Sequence, residues 1–235
     1  DNPSSVLSSI DTARMNARMV RTALTRETWE SVNEAWMALH RMLRHRVDEP
    51  DLPAVLDAVK RETALIRGAF QGTMLRNEVF DFAQIGTLIE RADNTARILD
   101  VKYYVLLPSA AWVGSSLDNS QWQTILRSVS ALRSYRWTYD GDFNPSKIAD
   151  FLILNRRMPR SLAFSYRGIC DSLDYLADEY GERQPCHELA HARLTRLKSA
   201  DIADVFDDGL HEFLSDFIRD NAALGNQIAA DFRFY

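Results

Sequence analysis

Apolar residues recur along this chain at alternating steps of three and four, the spacing of one face of an α-helix. Val6, Ile10, Ala13, Ala17, Val20 and Leu24 trace one such stripe, and Trp29, Val32, Trp36, Leu39 and Leu43 a second. No stretch sustains the period of two that a half-buried strand needs. The pattern predicts helices throughout, and capping residues mark their ends. Asn2-Pro3 opens the first, because Asn suits the N-cap and Pro the first helical position. Thr25 caps the second, and Asp51, with Pro53 in the next turn, opens the third. The fourth runs from about Glu78 to Leu107 and stops at Pro108, with residues 108–118 as a loop. The fifth covers roughly 119–136. Asn144-Pro145 opens the sixth, Pro159 the seventh, which Gly181 ends, and Pro185 the eighth. Asp201 caps a last helical region reaching almost to Tyr235, broken near Asp207-Asp208-Gly209. About nine helices joined by short loops predict an all-α, antiparallel helical bundle, with 1–235 as a single domain.

A faint internal repeat relates residues 1–25 to 157–181. Pro3, Ser5 and Val6 correspond to Pro159, Ser161 and Leu162, and Ala17 and Val20 to Leu173 and Leu176. Shared apolar register accounts for much of that match. The bundle is therefore expected to contain a duplicated helical unit, whose partner for the fourth helix would precede Asp1.

Composition is that of a globular protein: 235 residues, 46% hydrophobic and 26% charged. The net charge of −5 argues against a nucleic-acid partner. No apolar run is long enough to span a membrane. The two cysteines, Cys170 and Cys186, are too few for a disulfide framework and suit a reducing, cytoplasmic setting. The opening "DNPSSV", without methionine, reads as a processed or truncated product.

One string invites a chemical reading. "RQPCHELAHARL" contains His187-Glu188-Leu-Ala-His191, the H-E-x-x-H arrangement in which two histidines share a helix face and bind zinc while Glu acts as base. The surroundings do not match. Pro185 places the motif in the first turns of a helix, Arg193 stands where an apolar residue is expected, and no third ligand is fixed. The physical expectation is a helix start, with Glu188 near the positive dipole end and both histidines facing solvent. Glu188-x-x-His191 with Asp208-x-x-His211 also has the form of a di-iron carboxylate–histidine set, but lacks two further inward carboxylates.

The fourth helix carries more. Ile85, Leu88, Ile89, Ala92, Ala96, Leu99 and Tyr103 share one side. Glu90, Asp93, Asn94, Arg97 and Asp100 lie opposite, flanked by Arg91 and Lys102. A solvated face laced by pairs three and four apart is the plain reading, each pair contributing about 0.3–0.5 kcal/mol.

"IGTLIERADNTARILDVKYY", residues 85–104, resembles the alpha-E domain family, an all-helical family named for a Glu-Arg motif. "DNPSSVLSSIDTARMNARMVR", "NRRMPRSLAFSYR" and "GLHEFL…IAADFRFY" resemble it too and follow in the expected order, so the likeness covers nearly the whole chain. The family's N-terminal Glu-Arg helix is missing here. Thr87 and Met15 stand where the family would have a basic residue and a Glu. The resemblance implies an accessory role beside, or fused to, a circularly permuted ATP-grasp ligase-like partner, often with a transglutaminase-like protein. ATP and magnesium would enter only through that partner, in amide or peptide ligation or processing. The resemblance assigns no catalysis to this domain. Arg14, Asn16 and Arg18 of the first helix, and Arg157 and Arg160 around Pro159, are candidate companions of Glu90, Asp93 and Arg97. Such a cluster could fix helix register, because buried charge must be compensated. As an alternative, it could present guanidinium forks to an anionic ligand and act as an enzyme or binding site.

Overall fold

The computed structural model describes residues 2, 5–45, 47–104 and 116–234, and side chains except at 102–104 and 116–119. Its described residues are helical, without strands, and form two compact units, Asp1–Phe80 and Asp81–Tyr235.

The first unit holds α1 (Val6–Met19), α2 (Arg26–Met42) and α3 (Leu52–Thr73). Ser5, not Asn2, caps α1: its Oγ accepts from the Ser8 amide at 3.1 Å. Thr25 caps α2 as expected, and its hydroxyl meets that of Thr73 at 2.6 Å, tying the start of α2 to the end of α3. Ile10, Ala35, Leu39 and Ala58 make a small core, with Trp36, Leu43, Val59 and Ile66 packed around it. Of the predicted α1 stripe only Ile10 is buried, while Val6, Ala13 and Val20 are exposed. α2 is the helix packed closely on α1, with Ala58 of α3 reaching the same small core, so the flanks of the stripe stay exposed.

The second unit contains most of α4 (Glu78–Tyr104), then α5 (Ser116–Ser128), α6 (Leu132–Tyr139), α7 (Pro145–Ile153), α8 (Leu162–Tyr180), α9 (Pro185–Ser199), α10 (Ile202–Asp207) and α11 (Leu210–Asp231). Eleven α-helices are thus described where about nine were expected. Two breaks account for the difference. The predicted fifth helix divides at Ser130, which takes a left-handed φ of 56° while the Ala131 amide donates to the Leu126 carbonyl at 2.7 Å. That is a Schellman ending without glycine, so the sequence carried no punctuation there. The second break falls at Gly209, where it was expected, with φ 104°. The end predicted for the fourth helix, 105–107, and residues 108–115 of the predicted loop lie outside the described residues. Residues 116–118 of that loop belong to α5.

α8 is the spine of this unit, packing on α7 and α9. Leu162, Tyr166, Ile169, Leu173 and Leu176 are almost wholly buried along it. Ser161 caps α8, two residues beyond Pro159: its Oγ accepts from the Phe164 amide at 3.0 Å. Gly181 closes α8 at φ 74°, a conformation that other residues adopt only with strain. The entries to α1 and α8 share the serine cap and one backbone bond, and differ in where the serine hydroxyl donates: Ser5 to Ser8 Oγ, Ser161 to the Asn155 carbonyl. Ser5 N donates to the Asn2 carbonyl at 3.0 Å, and Ser161 N to the Met158 carbonyl at 2.9 Å. These are corresponding positions of the repeat noted above.

A buried polar bridge joins α4, α8 and α11. The Tyr166 hydroxyl donates to Asn221 Oδ1 at 3.0 Å, and Asn221 Nδ2 donates to the Ile89 carbonyl at 3.1 Å. Phe232 and Phe234 make T-shaped contacts with Phe82, their ring centres 4.9 and 5.0 Å away, docking the last turn against the start of α4.

Candidate functional site

Along α4 the described part of the predicted apolar side is buried: Ile85, Leu88, Ala92, Ala96 and Leu99 are each at most 2% exposed and Ile89 is half-buried, while the Tyr103 side chain lies outside the described residues. The opposite side forms an exposed ridge of charges bonded along the helix. Asn94 Nδ2 donates to Glu90 Oε1 at 2.8 Å. Arg97 grips Asp93 with two nitrogens, at 2.6 and 3.2 Å, so the carboxylate's hydrogen bond and then its charge raise the guanidinium above its ordinary pKa. Glu90, Asn94 and Arg97 are exposed, and Asp93 is half-buried. The motif's Thr95 hydroxyl is buried, with no hydrogen-bond partner among the described residues.

Two ridge residues reach other helices. Arg91 Nη1 donates to the Pro159 carbonyl at 3.3 Å, bringing the Glu-Arg pair against the turn that carries Arg157 and Arg160. Asp100 accepts from His211 Nδ1 on α11 at 2.6 Å. Ser215 Oγ lies 3.3 Å from Nε2 and 3.5 Å from Nδ1 of that imidazole, so it sits beside the ring and not at the end of a nucleophile-to-base bond. Arg157 is exposed and lines a cleft of about 330 Å³ with Trp137 and Met158. Arg14 is occupied within its own unit. Its Nε donates to Asn33 at 2.8 Å and its guanidinium lies 4.2 Å from the Trp36 ring centre. Asn16 and Arg18 are exposed on α1. The Lys102 side chain lies outside the description. Within the second unit, Glu90 and Asp93 are thus met by Asn94 and Arg97 four residues on, and Asp100 by His211.

The H-E-x-x-H segment opens α9, and one expectation about it is corrected. His187 does not face solvent: it is 1% exposed. Its Nδ1 accepts from the Gln184 amide at 2.9 Å, and its Nε2 donates to the Leu173 carbonyl at 2.9 Å. The helix start folds back over α8, and the imidazole is the only side chain in the motif able to serve both backbone groups. Both ring nitrogens are thereby used, which takes His187 out of the geometry a zinc ligand needs. His191, half-exposed, bonds Asp174 of α8 at 2.9 Å. Glu188 is exposed. His191 and His211 each pair with a carboxylate from another helix, Asp174 and Asp100, and Glu188 is turned to the surface.

Burial pushes the Asp174 carboxyl up, but the bond and charge of His191, with Arg183 at 2.8 Å, outweigh it and leave the group below its usual pKa. A carboxylate held low in the folded state stabilises above its unfolded pKa, and that contribution disappears as pH falls through the folded value. The stability advantage of the wild type over Asp174→Asn should therefore be present above about pH 5. It should vanish between about pH 5 and pH 2 in urea unfolding. A gap that persisted at the acid end would contradict the pairing.

The profile of the Alpha-E family, described as a predicted alpha-helical domain with a conserved ER motif, matches residues 1–232. This chain belongs to that family. Glu90-Arg91 on the α4 ridge fits the description of the Alpha-E motif. A second Glu-Arg pair, Glu182-Arg183, stands in the turn before α9. Among curated proteins, an uncharacterised protein of Mycobacterium bovis and two of Mycobacterium tuberculosis are each 22% identical over 228 residues. The match takes in 93% of this chain and 25% of each relative, so the chain spans a quarter of their length. No solved structure matches it.

The sequence did not mark Tyr166, Asn221, Asp174 or the burial of His187. Each depends on a partner from a distant helix. Arg193, read only as a charge that spoils a zinc motif, is 9% exposed and pairs with Asp220 of α11.

Proposed function

We propose that this chain is a non-catalytic, accessory helical domain that works in the cytoplasm with a circularly permuted ATP-grasp ligase-like partner, in ATP-dependent formation or processing of amide or peptide bonds. ATP and magnesium belong to that partner, and a transglutaminase-like protein is a further partner. The observation that carries this reading is the shape of the Glu-Arg face. It is an exposed ridge whose side chains bond to one another along the helix, and no α4 residue lines any of the four clefts described. Fixed, exposed charges on a rigid helix suit recognition by a complementary protein face, with its gain in specificity and association rate. They do not enclose a substrate as a reaction centre must. Alpha-E membership supports the reading, as does the much greater length of the relatives, which leaves room for other domains.

The test is binding of the chain to a circularly permuted ATP-grasp protein from the same source, followed by calorimetry. Glu90→Ala combined with Arg97→Ala should weaken the complex roughly ten-fold or more. The circular dichroism spectrum should not change, since these exposed pairs contribute at most about 1 kcal/mol. Absence of a complex, or ATP-dependent amide formation by this chain alone, would overturn the proposal.

A further inference from the structure

A cleft of about 360 Å³ lies where α8, α9 and α11 meet, on helices other than the one that carries the Glu-Arg ridge. Leu189, Ala192, Ala223 and Leu224 supply apolar walls, and Tyr166 reaches it from α8. Its volume and lining are those of a small-molecule pocket: mostly apolar, with a few polar groups that would orient a ligand. The polar groups are Arg193, Arg196 and Asp220.

Arg193 is the unusual member. It is a guanidinium only 9% exposed, packed 5.7 Å from the Phe217 ring centre. Charged side chains are rarely buried to this extent without full compensation. Its carboxylate partner, Asp220, engages Nη2, one nitrogen of a group with five N–H donors. Asp220 is itself 38% exposed and shared with Arg219, whose Nε lies 3.4 Å away. Arg219 also pairs with Asp216 at 2.7 Å. Arg196 stands at the cleft's edge, where it also lines an acidic neighbouring cleft with Asp201, Asp204 and Asp216, so Arg193 is the buried cation of the apolar cleft, with N–H donors that Asp220 does not engage.

We propose that this cleft binds a monocarboxylate with a compact aliphatic body, the carboxylate taken by Arg193 with Arg196 beside it and the aliphatic part lying against Leu189 and Leu224. A planar carboxylate matches the guanidinium fork in two-pronged fashion. The carboxylate would take the Arg193 donors that Asp220 leaves unused, and the aliphatic body would cover the exposed side chains of Leu189, Ala192 and Ala223. The inference is independent of the ligase partnership, because it rests on neither the α4 ridge nor the family. Two sources offer this chemistry, a free short-chain acid and the C-terminal end of a peptide.

The experiment is calorimetric titration of the chain with 4-methylpentanoate, which stands for a free acid, and with N-acetyl-leucine, which stands for a peptide end. 4-Methylpentanamide and inorganic phosphate serve as controls. One or both carboxylates should saturate a single site, and the tighter of the two names the source. The amide should bind at least roughly ten-fold more weakly, as expected for loss of a charged hydrogen-bonded pair. Arg193→Met, which keeps the apolar stem, should abolish binding. Arg196→Gln, at an exposed position that leaves the core untouched, should weaken it. Asp220→Asn should strengthen it, because it removes the internal competitor for Arg193, an effect a purely structural ion pair would not produce. Equal binding of acid and amide, no saturable binding of either acid, or weaker binding by Asp220→Asn would overturn the assignment.

Discussion

Replacing Asn221 with leucine is expected to lower the free energy of unfolding by about 2–4 kcal/mol. Asn221 is 1% exposed and bonds in both directions, accepting from the Tyr166 hydroxyl and donating to the Ile89 carbonyl. Leucine has a similar volume but no polar end. It would leave the Tyr166 hydroxyl, on a side chain 1% exposed, buried without its acceptor. The penalty is that of an unsatisfied buried donor, not the loss of one average hydrogen bond. Tyr166→Phe should cost less. The double variant should cost less than the two single losses added, because removing both partners together leaves no orphan. Urea unfolding of the four proteins gives the coupling directly. If Asn221→Leu came within half a kcal/mol of the wild type, the bridge would not be holding the three helices. Ile89 immediately precedes Glu90, so the same bond also fixes the rotation of α4 that turns the Glu-Arg ridge outward.

What could be read from the sequence follows from the range of each interaction. Helix periodicity is local, so α2 was legible from its apolar spacing, and α7, α8 and the last helices from the capping and breaking residues Asn144, Pro159, Gly181 and Asp201. The buried and exposed sides of α4 were legible for the same reason. The misplaced starts at Asn2 and Pro159 arose because each Pro is followed two residues later by a serine. That serine caps the helix from outside its first turn. The Ser130 break left no trace because its signal is a backbone conformation, not a residue type. Cross-helix partners are different in kind. Tyr166 and Asn221 stand 55 residues apart, and Asp100 and His211 stand 111 apart. No pattern along the chain joins them. Only packing decides that His211 meets Asp100. Arg193 was misjudged for the related reason that a charge is expected outside. Its pairing with Asp220 became visible only once α9 lay against α11.

The two histidines of the H-E-x-x-H string should behave unequally, and by a wide margin. His187→Ala is expected to cost about 2–4 kcal/mol. It removes a fully enclosed ring, leaves a cavity, and strips the Gln184 amide and the Leu173 carbonyl of their partner. His191→Ala should cost about 1 kcal/mol or less, because its pair with Asp174 is 40% and 37% exposed and water replaces it readily. A zinc helix would behave otherwise. Its two histidines would be equivalent, and either substitution would remove the same metal-dependent part of the stability. Urea unfolding of both variants, with and without chelator and with added zinc, separates the cases. An asymmetry unmoved by chelator is the expected result. Equal losses that chelator erased would restore the metal reading and remove His187 as the cap of α9. The motif's spelling is thus explained by two unrelated demands that meet on one helix. The first histidine closes a helix start over α8, and the second reaches a neighbouring carboxylate one turn later.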